Sequence, residues 1–159
     1  QAKQSEVHGM AQRGSTVQAH LRIADGPIAS DLIARGSADL ILSMEPVESL
    51  RYVAWLKPTG SIVTAANAVV NIPDYPDLEA VLARVRALPH AVVVEAERLA
   101  EEAGDLQATN TVMVGAASAR LPMKPETLER AVVETFRRKG EHAVDINLAA
   151  FRAGRRAAS

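Results

Sequence analysis

Three short apolar runs, separated by segments with helical periodicity, constrain the fold of this chain most strongly. The runs are Ala38–Met44, Ser61–Ala66 and Ala91–Val94. Each run is continuous rather than alternating, which is typical of strands that are covered on both faces of a parallel sheet. Between the first two runs lies Pro46–Lys57, where Pro46 suits the first turn of a helix and Pro58 follows its end. This order predicts a βαβ unit with a right-handed crossover.

Helical patterns account for most of the remaining chain. Leu78–Leu88 has apolar residues on one face, Asp77 is its predicted cap, and Pro89 ends it. Further helices are predicted at Glu97–Ala103, Leu106–Ala119, Pro125–Lys139 and Glu141–Arg152. Together with the apolar runs, these helices predict one α/β domain of three layers, α/β/α, around a largely parallel sheet.

The composition of the 159 residues is that of a globular domain, because 48% are hydrophobic and 23% are charged. A net charge of −1 and only 3% aromatic residues argue against a nucleic-acid partner. The chain has no cysteine, so it cannot supply thiolate ligands to an iron–sulfur cluster. The sequence shows neither the ~20-residue apolar run of a membrane span nor a signal-peptide pattern, so we expect a cytoplasmic protein that does not bind membranes.

A polar loop with two glycines, Ser5–Thr16, lies between two predicted strands. Its candidate contact residues are Glu6, His8, Gly9, Gln12, Arg13 and Gly14. The glycines let the backbone approach a neighbour closely, and such loops often contact a ligand or another subunit. His8 can serve as a general base, or it can hydrogen-bond within the loop or to a partner. Arg13 can clamp a carboxylate or phosphate, or form an ion pair within the chain or between subunits.

The segment that follows this loop, Thr16–Ala24, alternates between polar and apolar residues. A period of two predicts a strand with one apolar and one polar face, and the polar face carries His20 and Arg22. That face is either partly solvated near a sheet edge or buried by a partner subunit.

Two further polar residues are candidates for a site. Glu45 follows an apolar run and opens a predicted helix, so it either lies at the carboxyl edge of the sheet, where ligands bind, or supplies a favourable charge at the helix N-terminus. Asn110 lies in the apolar helix Leu106–Ala119, where its amide needs a partner in a neighbouring loop or in a ligand. No metal site and no catalytic residue is assigned, because the histidines show no ligand spacing.

The polar loop also carries a family resemblance. Glu6-Val7-His8-Gly9-Met10-Ala11-Gln12-Arg13-Gly14, followed by Val17 and His20-Leu21-Arg22-Ile23, is similar to the gamma domain of the 2-oxoacid:ferredoxin oxidoreductases, and especially to the beta subunit of indolepyruvate ferredoxin oxidoreductase. Further matches come in the family's order: Ala38–Leu42, Glu45-Pro46, Glu48, Leu50–Tyr52, Leu56–Pro58, Gly60, Tyr75-Pro76, Asn110, Gly115, Asn147, Ala150-Phe151 and Gly154. Where the family usually has a second glycine after Gly14, this chain has Ser15.

The resemblance implies an accessory subunit or domain of a 2-oxoacid ferredoxin oxidoreductase, with indolepyruvate or another aryl 2-oxoacid as substrate. A large partner subunit would hold thiamine diphosphate, the [4Fe-4S] clusters and coenzyme A. That subunit would decarboxylate the 2-oxoacid to an acyl-CoA and pass the electrons to ferredoxin. This chain would hold no cofactor and would not be active alone.

The resemblance further implies that residues 1–159 are a gamma-type domain without its usual first βα unit. Members of the family open with a glycine-rich strand–turn–helix before the polar loop, and nothing in this sequence corresponds to it. We therefore expect residues 1–159 either to be a fragment of a longer folded protein or to bury this apolar flank of the sheet against another chain, with a homodimer as the expected arrangement for an isolated chain.

A different class of function remains open at this point. The segment Asp39–Val63 is similar to a late motif of class I methyltransferases, with Leu56–Gly60 as a turn. This similarity implies a stand-alone enzyme that binds S-adenosylmethionine or a nucleotide. The sequence contains neither a P-loop nor the G-x-G-x-x-G pattern of dinucleotide-binding enzymes.

Overall fold

A computed structural model describes residues 1–7, 17–70 and 73–159. The strands in these ranges are β1 (Ala2–Val7), β2 (Gln18–Ile23), β3 (Ala38–Ser43), β4 (Leu56–Ala65) and β5 (Ala91–Val94). The α-helices are α1 (Pro46–Arg51), α2 (Leu78–Arg86), α3 (Ala96–Ala103), α4 (Thr109–Ser118), α5 (Pro125–Phe136) and α6 (Glu141–Ala157). Short 3₁₀ helices lie at Val53–Trp55, Leu106–Ala108 and Arg137–Lys139. The predicted α/β class is confirmed.

The central sheet is parallel, with the strand order β3-β4-β5. Val63 and Ala65 on one face of β4 pack into a core cluster with residues of α3, α4 and α6. Ile62 and Thr64 alternate with them and are fully buried on the opposite face, where α1 and α2 lie. Because α1 and α2 connect successive parallel strands, right-handed crossovers place both helices on that same face. The sheet is therefore covered by helices on both sides, as predicted.

The hairpin of β1 and β2 forms a separate antiparallel ladder. In β2, His20 is buried, whereas Leu21 and Ile23 are exposed. The polar face of this strand is turned toward the chain's own residues 30–33, which neither expectation for that face anticipated. Local hydrogen bonds hold it there: the N–H of Ile33 donates to Nδ1 of His20 at 2.9 Å, and Arg22 donates to the carbonyl oxygens of residues 30 and 32.

The segment after α1 differs from the prediction. The helix predicted over Pro46–Lys57 ends at Arg51, and β4 begins at Leu56 rather than at Ser61. The strand begins earlier because Leu56 pairs with Ala38 of β3. This tertiary contact overrides the local helical preference of the segment.

Pro58, which was predicted to follow the end of that helix, and Gly60 therefore lie inside β4. Pro58 is tolerated there because this half of β4 pairs with β3 alone, and β5 joins only from Ile62 onward. Gly60 lies where the register with β3 is irregular, and a Cβ atom added to it would lie 2.8 Å from the carbonyl oxygen of Ala38. A glycine is thus required for the close approach of the two backbones.

Helices α4 and α6 pack at very short range. A Cβ atom at Gly115 would lie 2.0 Å from the carbonyl oxygen of Phe151, and one at Gly154 would lie 1.9 Å from that of Val112. Neighbouring side chains of both helices belong to the main core cluster. Part of the family resemblance therefore reflects this helix contact rather than a ligand site.

An ion pair links α5 to α6. Arg152 donates to both carboxylate oxygens of Glu129, at 2.9 and 2.7 Å. These hydrogen bonds hold the pKa of Glu129 below its ordinary value, against the opposing effect of burial. The helix predicted to end at Arg152 continues to Ala157, so the pair lies within α6 and not at its end.

Candidate functional site at the carboxyl edge of the sheet

Glu45 lies between the end of β3 and the start of α1, and it is only 9% exposed. Its backbone is extended, and its side chain caps α1, with Oε2 accepting the N–H of Glu48 at 2.7 Å. The hydroxyl of Ser43 donates to the backbone carbonyl of Glu45 at 2.7 Å. Glu45 thus lies at the carboxyl edge of the sheet and also acts as a helix cap.

Tyr75 forms a hydrogen bond to the second carboxylate oxygen of Glu45. Its hydroxyl donates to Oε1. Burial raises the pKa of Tyr75, and the hydrogen bond to Glu45 and the negative charges of Glu45 and Glu48 raise it further. The phenol therefore keeps the proton with which it bonds Glu45. Because both oxygens of Glu45 are bonded within the chain, this carboxylate holds the loop around Tyr75 against the start of α1.

Tyr75 matches the family pattern, but its sequence context predicts no contact for it. The bond spans 30 residues of sequence, so no periodic pattern reveals it. The sequence gives no signal for the pair: Glu45 is more buried than a glutamate usually is, but Tyr75 is only half-buried, as tyrosines often are.

A cavity of about 150 Å³ lies between β2, β3 and the Val53–Trp55 turn. Its lining includes Gln18, His20, Ser43, Glu48, Tyr52 and Trp55. The Nε2 atom of His20 lies 2.6 Å from the side-chain amide of Gln18, while Nδ1 accepts the bond from Ile33. Both ring nitrogens are therefore engaged within the chain, so His20 fixes β2 against the segment around Ile33.

The polar loop joins the hairpin beside this cavity. Val17, the first described residue after the loop, lines the cavity together with Ser43 and Glu48. On the other side of the loop, Val7 is the last described residue, and the candidate Glu6 beside it is exposed and pairs with Ala19 in the ladder. The other loop candidates, which lie outside the described residues, are His8, Gly9, Gln12, Arg13 and Gly14. The expected contact of this loop with a ligand or another subunit stays a prediction.

Asn110 does not have the buried position that was expected of it. It is exposed in the first turn of α4. The buried amide of this helix pair is instead that of Asn147 on α6, which accepts a bond from the hydroxyl of Thr111 at 2.6 Å and donates to Ala143 at 2.8 Å. The prediction failed because the apolar helix is not equally buried on all sides, and Asn110 lies on its exposed side.

Comparison with known families settles which family this architecture belongs to. Residues 1–157 match the pyruvate ferredoxin/flavodoxin oxidoreductase family. The chain belongs to this family. The match includes the hairpin, the parallel sheet and the C-terminal helices, so the resemblance noted on the loop sequence is confirmed.

Curated relatives in this family carry one shared name, indolepyruvate oxidoreductase subunit IorB. The relative from Archaeoglobus fulgidus is 35% identical over 94% of this chain and 77% of its own length. The relative from Pyrococcus horikoshii is 36% identical over 96% of this chain and 79% of its own length. The relative from Methanothermobacter thermautotrophicus is 32% identical over 94% of this chain and 79% of its own length.

A solved structure with a similar fold is the 2-oxoglutarate:ferredoxin oxidoreductase from Magnetococcus marinus, with 2-oxoglutarate, coenzyme A and succinyl-CoA bound. The TM-score is 0.73 at 18% identity, which shows similarity of fold. The match covers 99% of this chain but only 25% of that one. The fold of this oxidoreductase-family chain thus also occurs as one part of a much longer polypeptide.

Membership of a ferredoxin oxidoreductase family raises the question of whether this chain holds an iron–sulfur cluster. Its residues do not fit one, because the ligands of such clusters are mainly cysteine thiolates and the sequence has none. Within the described residues, no group of three or more histidine, aspartate or glutamate side chains could hold a metal ion. No helix in the described part of the chain is both long and apolar enough to cross a membrane.

The similarity to methyltransferases is not supported. It depended on a turn at Leu56–Gly60, but these residues lie in β4. The family match over residues 1–157 assigns the same segment to the oxidoreductase family.

Proposed function

We propose that this chain is the accessory subunit of an indolepyruvate ferredoxin oxidoreductase. The observation that carries the proposal is 32–36% identity, over nearly the whole chain, to four relatives that all bear the name of an indolepyruvate oxidoreductase subunit. The complex converts an aryl 2-oxoacid and coenzyme A to an acyl-CoA and passes the electrons to ferredoxin. It works in the cytoplasm.

The proposal assigns the reaction chemistry to a large partner subunit. Thiamine diphosphate, the [4Fe-4S] clusters and the coenzyme A site belong to that partner. The absence of cysteine from this chain supports the assignment for the clusters. This chain contributes residues 1–159 as a gamma-type domain that completes the assembly.

The polar loop is the part of the chain that we assign to the contact with the partner or its ligands. Glu45 is not available for that role, because Tyr75 and the first turn of α1 already bond both of its oxygens. His8 and Arg13 are therefore the proposed contact residues.

Reconstitution tests the proposed function. The chain is expressed alone, and also together with the large subunit encoded in the same genome, under anoxic conditions. We expect the isolated chain to be colourless and inactive, whereas the complex reduces a viologen dye when indolepyruvate and coenzyme A are present. Pyruvate and 2-oxoglutarate serve as control substrates. A brown, active isolated chain contradicts the proposal, and so does a large subunit with equal activity when this chain is absent.

A further inference from the structure

The hairpin that carries the polar loop has a buried histidine close to the loop. The β1–β2 ladder ends with the pair Val7 and Gln18, and the loop residues 8–16 connect the two strands in the sequence. His20 follows this last pair by two residues and is 7% exposed. Its side chain lies on the inner face of β2 and bonds a different segment of the chain, around Ile33. The ring therefore lies where it can fix the base of the loop.

The contacts of the ring assign a role to each of its nitrogens. The backbone N–H of Ile33 donates to Nδ1 of His20 at 2.9 Å. A backbone N–H can only donate, so Nδ1 is the nitrogen without a proton. The proton of the neutral ring is then on Nε2, which lies 2.6 Å from the side-chain amide of Gln18, and the amide oxygen is the acceptor that this tautomer requires. Toward Ile33, His20 thus serves as a hydrogen-bond acceptor.

Other contacts hold both strands of the hairpin on the same segment, but they are more exposed to water. Arg22 donates to two carbonyl oxygens of residues 30–32, at 2.8 and 3.3 Å. On β1, Lys3 forms an ion pair with Asp31 at 3.2 Å. Water competes with such exposed contacts and screens them. The bond to His20 is better shielded, and a shielded N–H that loses its acceptor is unfavourable, so this bond contributes most to anchoring the hairpin.

We propose that His20 is a positioning residue for the polar loop, an inference that rests on the proposed function. The ring is buried and its nitrogens are engaged within the chain, so it acts through the loop and does not contact the large subunit itself. By fixing β2 near the last pair of the ladder, it fixes the direction in which the loop leaves the hairpin. An anchored base lowers the ordering cost of binding. Without the anchor, a fraction of the chains is binding-competent, and the apparent Kd rises in inverse proportion to that fraction.

Two substitutions of nearly equal shape test this role. In His20→Asn, Oδ1 takes the place of Nδ1 and accepts the N–H of Ile33, whereas His20→Leu has no acceptor. Both variants lose the ring, so the acceptor is the difference between them. Amide exchange measured by NMR should be slow at Ile33 in the wild type and in His20→Asn, and faster in His20→Leu. We expect His20→Leu to raise the Kd for the purified large subunit by about fivefold to tenfold relative to His20→Asn, which should bind within about twofold of the wild type.

A second measurement separates positioning from a general loss of structure. Amide exchange in β3, β4 and β5 should be the same in all three chains, and saturating amounts of His20→Leu should restore the wild-type turnover of the reconstituted complex. Faster exchange throughout the sheet would show a structural role and overturn the proposal.

The remaining results also decide it. Equal binding by His20→Leu and His20→Asn, or unchanged exchange at Ile33 in His20→Leu, overturns the positioning role but leaves the proposed function intact. Failure of the wild-type chain to bind the large subunit refutes the proposed function, and the role of His20 with it.

Discussion

At the scale of single residues, the bond between Tyr75 and Glu45 determines how the sheet edge is built. We predict that a Tyr52→Phe variant, in which Tyr75 is the remaining tyrosine of the chain's two, forms phenolate well above the ordinary pKa of about 10. Adding Glu45→Gln should lower the pKa of Tyr75, because it removes a charge that opposes ionisation. Ultraviolet absorbance during a pH titration measures both midpoints.

The same shift links Tyr75 to stability. Above pH ~10 the unfolded chain loses the tyrosine proton while the folded chain retains it, so the free energy of unfolding decreases as the pH rises further. Circular dichroism at each pH shows whether the chain is still folded during the titration. Ionisation of Tyr75 near pH 10 in a folded chain that retains Glu45 would refute the assigned contact.

At the scale of elements, the contact between α4 and α6 depends on the absence of two side chains. At an exposed position within a helix, replacing glycine with alanine stabilises the folded protein by ~0.5–1 kcal/mol. Here Gly154→Ala would push Cβ to 1.9 Å from the carbonyl oxygen of Val112. We predict a net loss of ~1–3 kcal/mol, because two packed helices must separate to relieve the overlap. Chemical denaturation of the purified chain measures the difference in the free energy of unfolding.

The control for this prediction is Gly26→Ala. A Cβ atom at Gly26 meets nothing within 4 Å, so its effect should stay within ~0.5 kcal/mol. A Gly154→Ala variant as stable as the Gly26→Ala variant would show that α4 and α6 are farther apart than described.

Elements that rest on local patterns could be predicted from the sequence. The run Ala91–Val94 became β5 with the predicted bounds, and Asp77 caps α2 by accepting the N–H of Ala80 at 2.9 Å. The start of β4 could not be predicted, because Leu56 joins the sheet through pairing with a distant residue. The sequence also could not predict which face of β2 points inward, because that depends on the hydrogen bond between His20 and Ile33.

The candidate site shows the same limit. The sequence places Glu45 correctly at the sheet edge, because an apolar run followed by a helix signal defines that edge. It does not identify Tyr75 as the partner of Glu45, and it selects Asn110 instead of Asn147 as the buried amide. Partners that are distant in sequence leave no periodic signal from which to choose between neighbouring polar residues.

At the scale of the whole molecule, apolar side chains are exposed at more than one place. Leu21 and Ile23 of β2 and Val17 just before it are exposed, Met44 after β3 is 41% exposed, and Val69 and Val70 after β4 are 57% and 69% exposed. A partner that covers such surface in the folded chain alone shifts the unfolding equilibrium by mass action. We therefore predict that the isolated chain is less stable than the chain bound to the proposed large subunit.

The size of this shift can be predicted. A large-subunit concentration of ~100 times Kd adds about 2.7 kcal/mol to the free energy of unfolding. For a chain of this length, that corresponds to a rise in Tm of roughly 5–10 °C. Hydrogen exchange on the mixture, which follows this chain separately from its partner, measures the protection gained at each partner concentration. Protection that does not increase with partner concentration, at concentrations where co-purification shows binding, would mean that the partner also binds the unfolded chain.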